Sequence, residues 1–280
     1  PSVSLAAITT VWWYLSVTKC KWKSLNVGDR VFGCGHGCNS NKPYDGVFAE
    51  YSAVRDDLAM KVPDGVTMKD ASTIALGTIT IGQGLFQPGK GLALNMPDNR
   101  YQTREWVFVY GGSTATGNLS IQLAKLAGYR VVTTCSPRNE EFVQSLGADA
   151  VFDYNDPDCG AQIRVLTENE LQYAWDAVGV DFSVEICSQA ISTVIGGAHY
   201  CTVLTKRLPK DDVKHSSVLM YTVFGEAFQK GKHNFPANDA DFEFGKKRFE
   251  LVEKLVRQGK LKAHPVALQN GGLVWLGWRE

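Results

Sequence analysis

Residues 106–119 read WVFVYGGSTATGNL, and no other stretch constrains this chain as strongly. A short continuous apolar run is what a strand buried on both faces of a parallel sheet requires. The run enters Gly111-Gly112-Ser113-Thr114-Ala115-Thr116-Gly117 and then a segment of helical spacing, with Leu119, Leu123 and Leu126 on one side and Gly128 as its C-cap. Small residues in such a turn let backbone approach a phosphate. The helix start adds free N–H groups and a partial positive charge. The seven-residue loop is therefore read as the pyrophosphate site of a dinucleotide; the competing reading is a structural glycine turn in some other α/β protein.

The pattern around the loop supports a doubly wound parallel sheet. Strands are expected at Arg130 to Thr134 and Ala150 to Tyr154, with a helix from Glu140 to Leu146 stopped by Gly147. The alternation continues through Leu171 to Val178, Phe182 to Ile186 and His199 to Leu204. Met68 to Phe86 reads as one long helix, and Phe244 to Gln258 as an amphipathic helix stopped by Gly259. Upstream, Asn26 to Val31 is a turn into a strand, Gly46 to Val54 a half-buried strand and Lys61 to Val66 a loop, so the first part is expected to be all-β.

The second strand of the dinucleotide motif selects the cofactor. NAD enzymes place an acid at its end to hold the ribose 2′-hydroxyl. Here the strand runs into Ser136, Pro137, Arg138 and Asn139, and the first acid is Glu140. A carboxylate would repel a 2′-phosphate, whereas a guanidinium clamps it with paired donors. NADPH is the expected cofactor; the competing reading of Arg138 is a solvated loop residue.

Charge and cysteine usage exclude some classes. Lys plus Arg and Asp plus Glu balance at 29 each, which gives no long-range pull toward nucleic acid or an anionic membrane. Seven cysteines, an odd number, are scattered through a long chain. That pattern fits reduced thiols in a cytoplasmic protein better than a disulfide framework. The uncharged run Val3 to Thr18, followed by Lys19, Lys21 and Lys23, is shorter than the ~20 residues a spanning helix needs. It also lacks the flanks of a secretory signal. It is read as a buried or disordered remnant.

Together these motifs have a familiar look. GDRVFG at 28–33, GVFAEY at 46–51, GGSTATG at 111–117, CSPRN at 135–139 and LGAD–VFDY at 146–154 resemble the medium-chain dehydrogenase/reductase superfamily. GGSTATG with SPRN resembles its stand-alone, trans-acting enoyl reductases of fungal polyketide pathways. The resemblance spans about residues 26–265. It implies a GroES-like, partly open β-barrel domain, a Rossmann domain, and an active site in the cleft between them. It also implies NADPH-dependent hydride transfer to an α,β-unsaturated thioester carried by a partner polyketide synthase.

Carried over by position, the resemblance puts the pyrophosphate on Gly112 to Gly117 and the 2′-phosphate on Ser136 to Asn139. Tyr154 would line the adenosine end, and Thr202, Val203 and Leu204 would pass near the nicotinamide. Thr78, Ile79, Thr80, Ile81, Gly82, Gln83, Gly84 and Leu85 would border the acyl substrate, together with Tyr221, Thr222, Val223, Phe224 and Gly225. The resemblance divides the chain into a partial GroES-like domain at 1–72, a Rossmann domain at 73–262 and a return to the first domain at 263–280. Neither end continues as the family pattern does, so the catalytic domain is expected to be incomplete at both.

Cys34-Gly35-His36-Gly37-Cys38 offers zinc-type ligands, but only two Cys and one His cluster and no fourth ligand lies nearby. No metal is expected, and no dedicated catalytic proton donor is identified. Two readings compete with enoyl reduction. One is a quinone or small-enone reductase of the same superfamily; the other is a non-catalytic chain that binds dinucleotide.

Overall fold

A computed structural model describes residues 13–14, 25–47, 51–98, 102–194 and 196–267. The chain divides into two compact units: residues 1–76 with 221–280, and residues 77–220.

In the first unit, β1 (Trp13–Tyr14), β2 (Arg30–Gly33) and β3 (Ala59–Lys61) form an antiparallel sheet in that order. Helix α1 (Met68–Ser72) follows, its N-cap Thr67 accepting the Asp70 N–H. Most of the uncharged N-terminal run and part of the expected strand at 46–54 lie outside the described residues. The described flanks of that strand, 46–47 and 51–54, are not strand.

The second unit begins within α2 (Ala75–Ile81), which runs into a π-helical turn at Gly82–Phe86. The single helix expected over 68–86 is thus two helices and a wide turn. Within the turn, a Cβ on Gly84 would lie 2.2 Å from the Trp175 ring, so the chain passes that ring as bare backbone.

The sheet of this unit is built from β4 (Trp106–Tyr110), β5 (Arg130–Cys135), β6 (Ala150–Asp153), β7 (Tyr173–Asp176), β8 (His199–Thr202) and β9 (Lys214–Ser217). All pairings are parallel, in the order β6-β5-β4-β7-β8-β9. Numbered from β4, this is the 3-2-1-4-5-6 order of the Rossmann fold. Helices α3 (Ala115–Leu126), α4 (Glu140–Ser145), α5 (Cys159–Leu166) and α6 (Asp181–Ala190) make the crossovers. Every residue of β4 and β8 is buried, as expected of strands covered on both faces. Gly128, at φ +91°, ends α3, and the register then sets the Arg130 guanidinium 3.7 Å from the centroid of the Trp106 ring.

The chain returns to the first unit with the hairpin β10 (Phe228–Lys230) and β11 (His233–Phe235), followed by α7 (Asp239–Arg257). The sequence reading placed this helix in the dinucleotide domain. It groups instead with the first unit, because it packs on β3 and the short turn Asp56–Leu58. Among the described residues, no helix is long and apolar enough to cross a membrane.

Candidate functional site

The strand order reverses between β4 and β7, and a ligand crevice forms where the carboxyl ends of such strands part. The glycine loop lies at that end of β4. Gly111, at φ +79°, turns the chain out of the strand, its N–H donating to the Thr134 hydroxyl at 3.1 Å. Thr114 caps α3: its hydroxyl accepts the Gly117 N–H at 3.0 Å and donates to the Gly111 carbonyl at 2.8 Å. The turn is thereby locked to the helix start.

Two glycines make this packing possible. A Cβ on Gly112 would come within 2.2 Å of the Thr133 hydroxyl oxygen, and one on Gly117 within 2.0 Å of the Gly111 carbonyl oxygen. The N–H groups of Ser113, Ala115 and Thr116 have no backbone partner among the described residues, and Ala115 is exposed. Several aligned donors at the start of a 12-residue helix form an anion cradle.

The other candidate cofactor residues lie at the same edge of the sheet. Ser136 is half-buried after β5, and Asn139 donates from Nδ2 to its hydroxyl at 3.1 Å. Pro137 and Arg138 are exposed, and Arg138 makes no ion pair among the described residues. Tyr154, just past β6, is half-buried, with its ring centroid 6.5 Å from that of Tyr110. Thr202 is fully buried at the end of β8, Val203 is half-buried, and Leu204 is half exposed.

One residue of this edge was missed on sequence. Asp176, the last residue of β7, is fully buried. Its Oδ1 accepts the N–H groups of Val178 at 2.9 Å and Gly179 at 2.8 Å. Its Oδ2 accepts the hydroxyls of Ser183 at 2.5 Å and Tyr200 at 2.7 Å. The carboxylate thus ties the β7 turn to α6 and β8. One acid at the end of the apolar run YAWD carries no periodic signal that would have revealed it.

The candidate substrate residues fall in both units. Thr78 to Leu85 lie in the second unit and are all buried. Tyr221 to Gly225 lie in the first unit, where Tyr221 and Phe224 flank His36. The His36 ring is stacked on Tyr221 at 4.2 Å, lies 5.5 Å from Phe224 and meets Phe228 edge-on at 4.8 Å. Its Nδ1 is 3.3 Å from Asn39 Nδ2, which also donates to Asp45 at 3.3 Å. Burial lowers the pKa of His36, with help from Lys230 and against Asp45 and Glu226.

Cys34 is buried, with its pKa pushed up to about 12 by burial, while Cys38 is exposed. Among the described residues no three Cys, His, Asp or Glu side chains converge as metal ligands.

The profile of the zinc-binding dehydrogenase family matches residues 115–232. The chain is 38% identical over 249 residues to the trans-enoyl reductase ACTTS2 of Alternaria alternata, covering 89% of this chain and 71% of that protein. It is 40% identical over 268 residues to the trans-enoyl reductase caaB of Aspergillus niger, covering 91% of this chain and 72% of the relative. Among solved structures, an alcohol dehydrogenase superfamily protein from Novosphingobium aromaticivorans superposes with a TM-score of 0.66 at 24% identity, over 86% of this chain and 66% of that one. This last likeness is one of fold.

Proposed function

The chain belongs to the trans-enoyl reductases, oxidoreductases of the medium-chain dehydrogenase/reductase superfamily, and from that premise we propose that it is an NADPH-dependent enoyl reductase acting on carrier-bound acyl thioesters of a polyketide synthase. The observation that carries the cofactor assignment is the pairing of an open N–H cradle at 113–116 with a β5 end that holds Ser136, Arg138 and Asn139 and no carboxylate. The cradle suits the pyrophosphate, which the backbone of Gly112 and Gly117 can approach because neither carries a Cβ. Arg138, exposed and without an ion pair among the described residues, suits a 2′-phosphate.

Bound in this cradle, NADPH would supply the hydride. The protein's own contribution is placement. Thr114 and Asp176 fix the loops at the ends of β4 and β7, and Thr202 to Leu204 are the proposed neighbours of the nicotinamide. Thr78 to Leu85 and Tyr221 to Gly225 are the proposed border of the acyl group. The partner follows from the family's trans-acting habit: the acyl group arrives on another protein. No metal is invoked, since the thioester carbonyl already polarises the double bond.

The test is a titration of the protein with NADPH and NADH, followed by nicotinamide fluorescence, and then an assay with 2-enoyl thioesters. Tight NADPH binding, weak NADH binding, loss of the difference in Arg138→Ala, and NADPH oxidation with a 2-enoyl thioester are the expected results. Equal affinity for the two dinucleotides would overturn the cofactor reading. Turnover with free quinones and none with enoyl thioesters would overturn the substrate reading.

A further inference from the structure

The orientation of one amide assigns the proton on a buried imidazole. Asn39 Oδ1 accepts the Asn41 N–H at 3.1 Å, so its NH2 group must face the other way. That NH2 group sits 3.3 Å from Asp45 Oδ2 and 3.3 Å from His36 Nδ1, and it can only donate to either. His36 Nδ1 is therefore an acceptor, and in the neutral ring the proton resides on Nε2. Nε2 has no hydrogen-bond partner among the described residues, and the residue as a whole is 6% exposed.

The geometry points to His36 as a neutral hydrogen-bond donor that holds the thioester carbonyl oxygen of the acyl substrate through Nε2–H. This rests on the reading of the chain as an enoyl reductase with Tyr221 to Gly225 at the acyl group. Three aromatic rings wall the imidazole, with the charges of Asp45, Glu226 and Lys230 within electrostatic reach, so an oxygen arriving at Nε2 meets the donor beside low-dielectric rings, where a hydrogen bond is stronger than in water. A ring needed for packing alone could be phenylalanine. Here Asn39 is instead anchored on two sides, by Asn41 and Asp45, so that its third contact dictates which imidazole nitrogen carries hydrogen.

The chemistry uses such a donor without consuming it. When a hydride adds to the β-carbon, the π electron pair shifts toward the carbonyl oxygen, and the α-carbon then takes a proton from water. His36 keeps its proton throughout. It stabilises the oxygen most when the negative charge there is greatest, which is the condition for catalysis rather than mere binding. Burial keeps the ring neutral near pH 7, and a neutral imidazole can serve as such a donor.

The first measurement is a long-range 1H–15N correlation on the 15N-histidine-labelled protein. The expected spectrum for His36 has Nε2 protonated and Nδ1 bare. Addition of crotonyl-N-acetylcysteamine without NADPH should move the Nε2–H proton downfield. The second measurement is turnover: His36→Phe keeps an aromatic ring and should lose at least tenfold in kcat/KM for that thioester, with NADPH affinity unchanged; His36→Gln, which retains a donor, should recover part of the loss. A protonated Nδ1, an Nε2–H signal that ignores the thioester, or full activity in His36→Phe would overturn the assignment and leave the enoyl-reductase reading standing. A wild-type protein that binds NADPH yet neither binds nor reduces the thioester would overturn both. The spectra are taken on wild-type protein, so poor folding of a variant cannot protect the assignment.

Discussion

The Tyr200 hydroxyl donates to Asp176 Oδ2 across 2.7 Å, joining two neighbouring strands of the parallel sheet near their carboxyl ends. Both residues are fully buried. Burial, followed by the nearby carboxylate, raises the Tyr200 pKa far above its ordinary value, so the phenol remains a donor throughout the working pH range. The carboxylate is in turn saturated by four donors.

Replacing Asp176 with Ala should therefore be severe. It strands several buried donors, each costing about 1–3 kcal/mol when left unpaired. A total loss of about 3 kcal/mol or more is expected in urea unfolding, with weakened NADPH binding in whatever fraction still folds. Tyr200→Phe removes only one bond and should cost about 1 kcal/mol. Equal effects from the two substitutions would contradict the picture of Asp176 as the hub.

Gly117→Ala tests the loop by steric means. Its Cβ would sit 2.0 Å from the Gly111 carbonyl oxygen and 2.9 Å from Gly112 Cα, both of them backbone and unable to swing aside. The loop must open or the helix start must shift, and either displaces the N–H cradle. NADPH affinity should fall at least tenfold, while Gly46→Ala, where no atom lies within 4 Å of the new Cβ, should leave it unchanged. Near-native NADPH affinity in Gly117→Ala would show that the cradle is not the phosphate site.

Ser136→Asp addresses the choice of dinucleotide. Ser136 follows the last residue of β5, where an acid would hold a ribose 2′-hydroxyl and repel a 2′-phosphate. The ratio of NADPH to NADH affinity should drop by an order of magnitude or more, measured by paired fluorescence titrations. An unchanged ratio would place the 2′-phosphate elsewhere.

The sequence was legible where structure is written locally. The glycine loop needs strand, glycines, cap and helix in one run of 14 residues, and all of them stand between Trp106 and Leu119. Other features depend on distant partners. The glycine at 84, in the turn that follows α2, answers to Trp175, some 90 residues away, whose ring leaves no room for a side chain there. The apolar stripe of α7 was evident, yet periodicity does not say which surface a stripe meets, and it meets β3. His36 looked like a stray metal ligand beside two cysteines. Its aromatic walls come largely from residues 221–228, nearly 190 positions later, so no local pattern could reveal them.

His199 makes the stability of the second unit depend on pH. The ring is 5% exposed at the start of β8, with Nε2 2.8 Å from the Ser216 hydroxyl on β9. Burial above all, then the charges of Lys214 and His215, lowers its pKa to about 4. In the unfolded chain the same ring titrates near 6.5. Between these values the unfolded state binds a proton that the native state refuses, so stability is complete above pH ~6.5 and declines as pH falls toward 4. The whole displacement corresponds to a loss on the order of 3 kcal/mol at its acid limit. His215 carries a smaller shift in the same direction: burial, then the charge of Arg207, disfavours its protonated form, against the opposing pull of the Leu208 and Val213 backbone and of Asp211. Urea unfolding at intervals between pH 7.5 and 4.5 should therefore show a falling free energy that His199→Gln flattens substantially and His215→Gln only slightly. A slope as steep in His199→Gln as in the wild type would move the source of the acid sensitivity away from the β8–β9 edge.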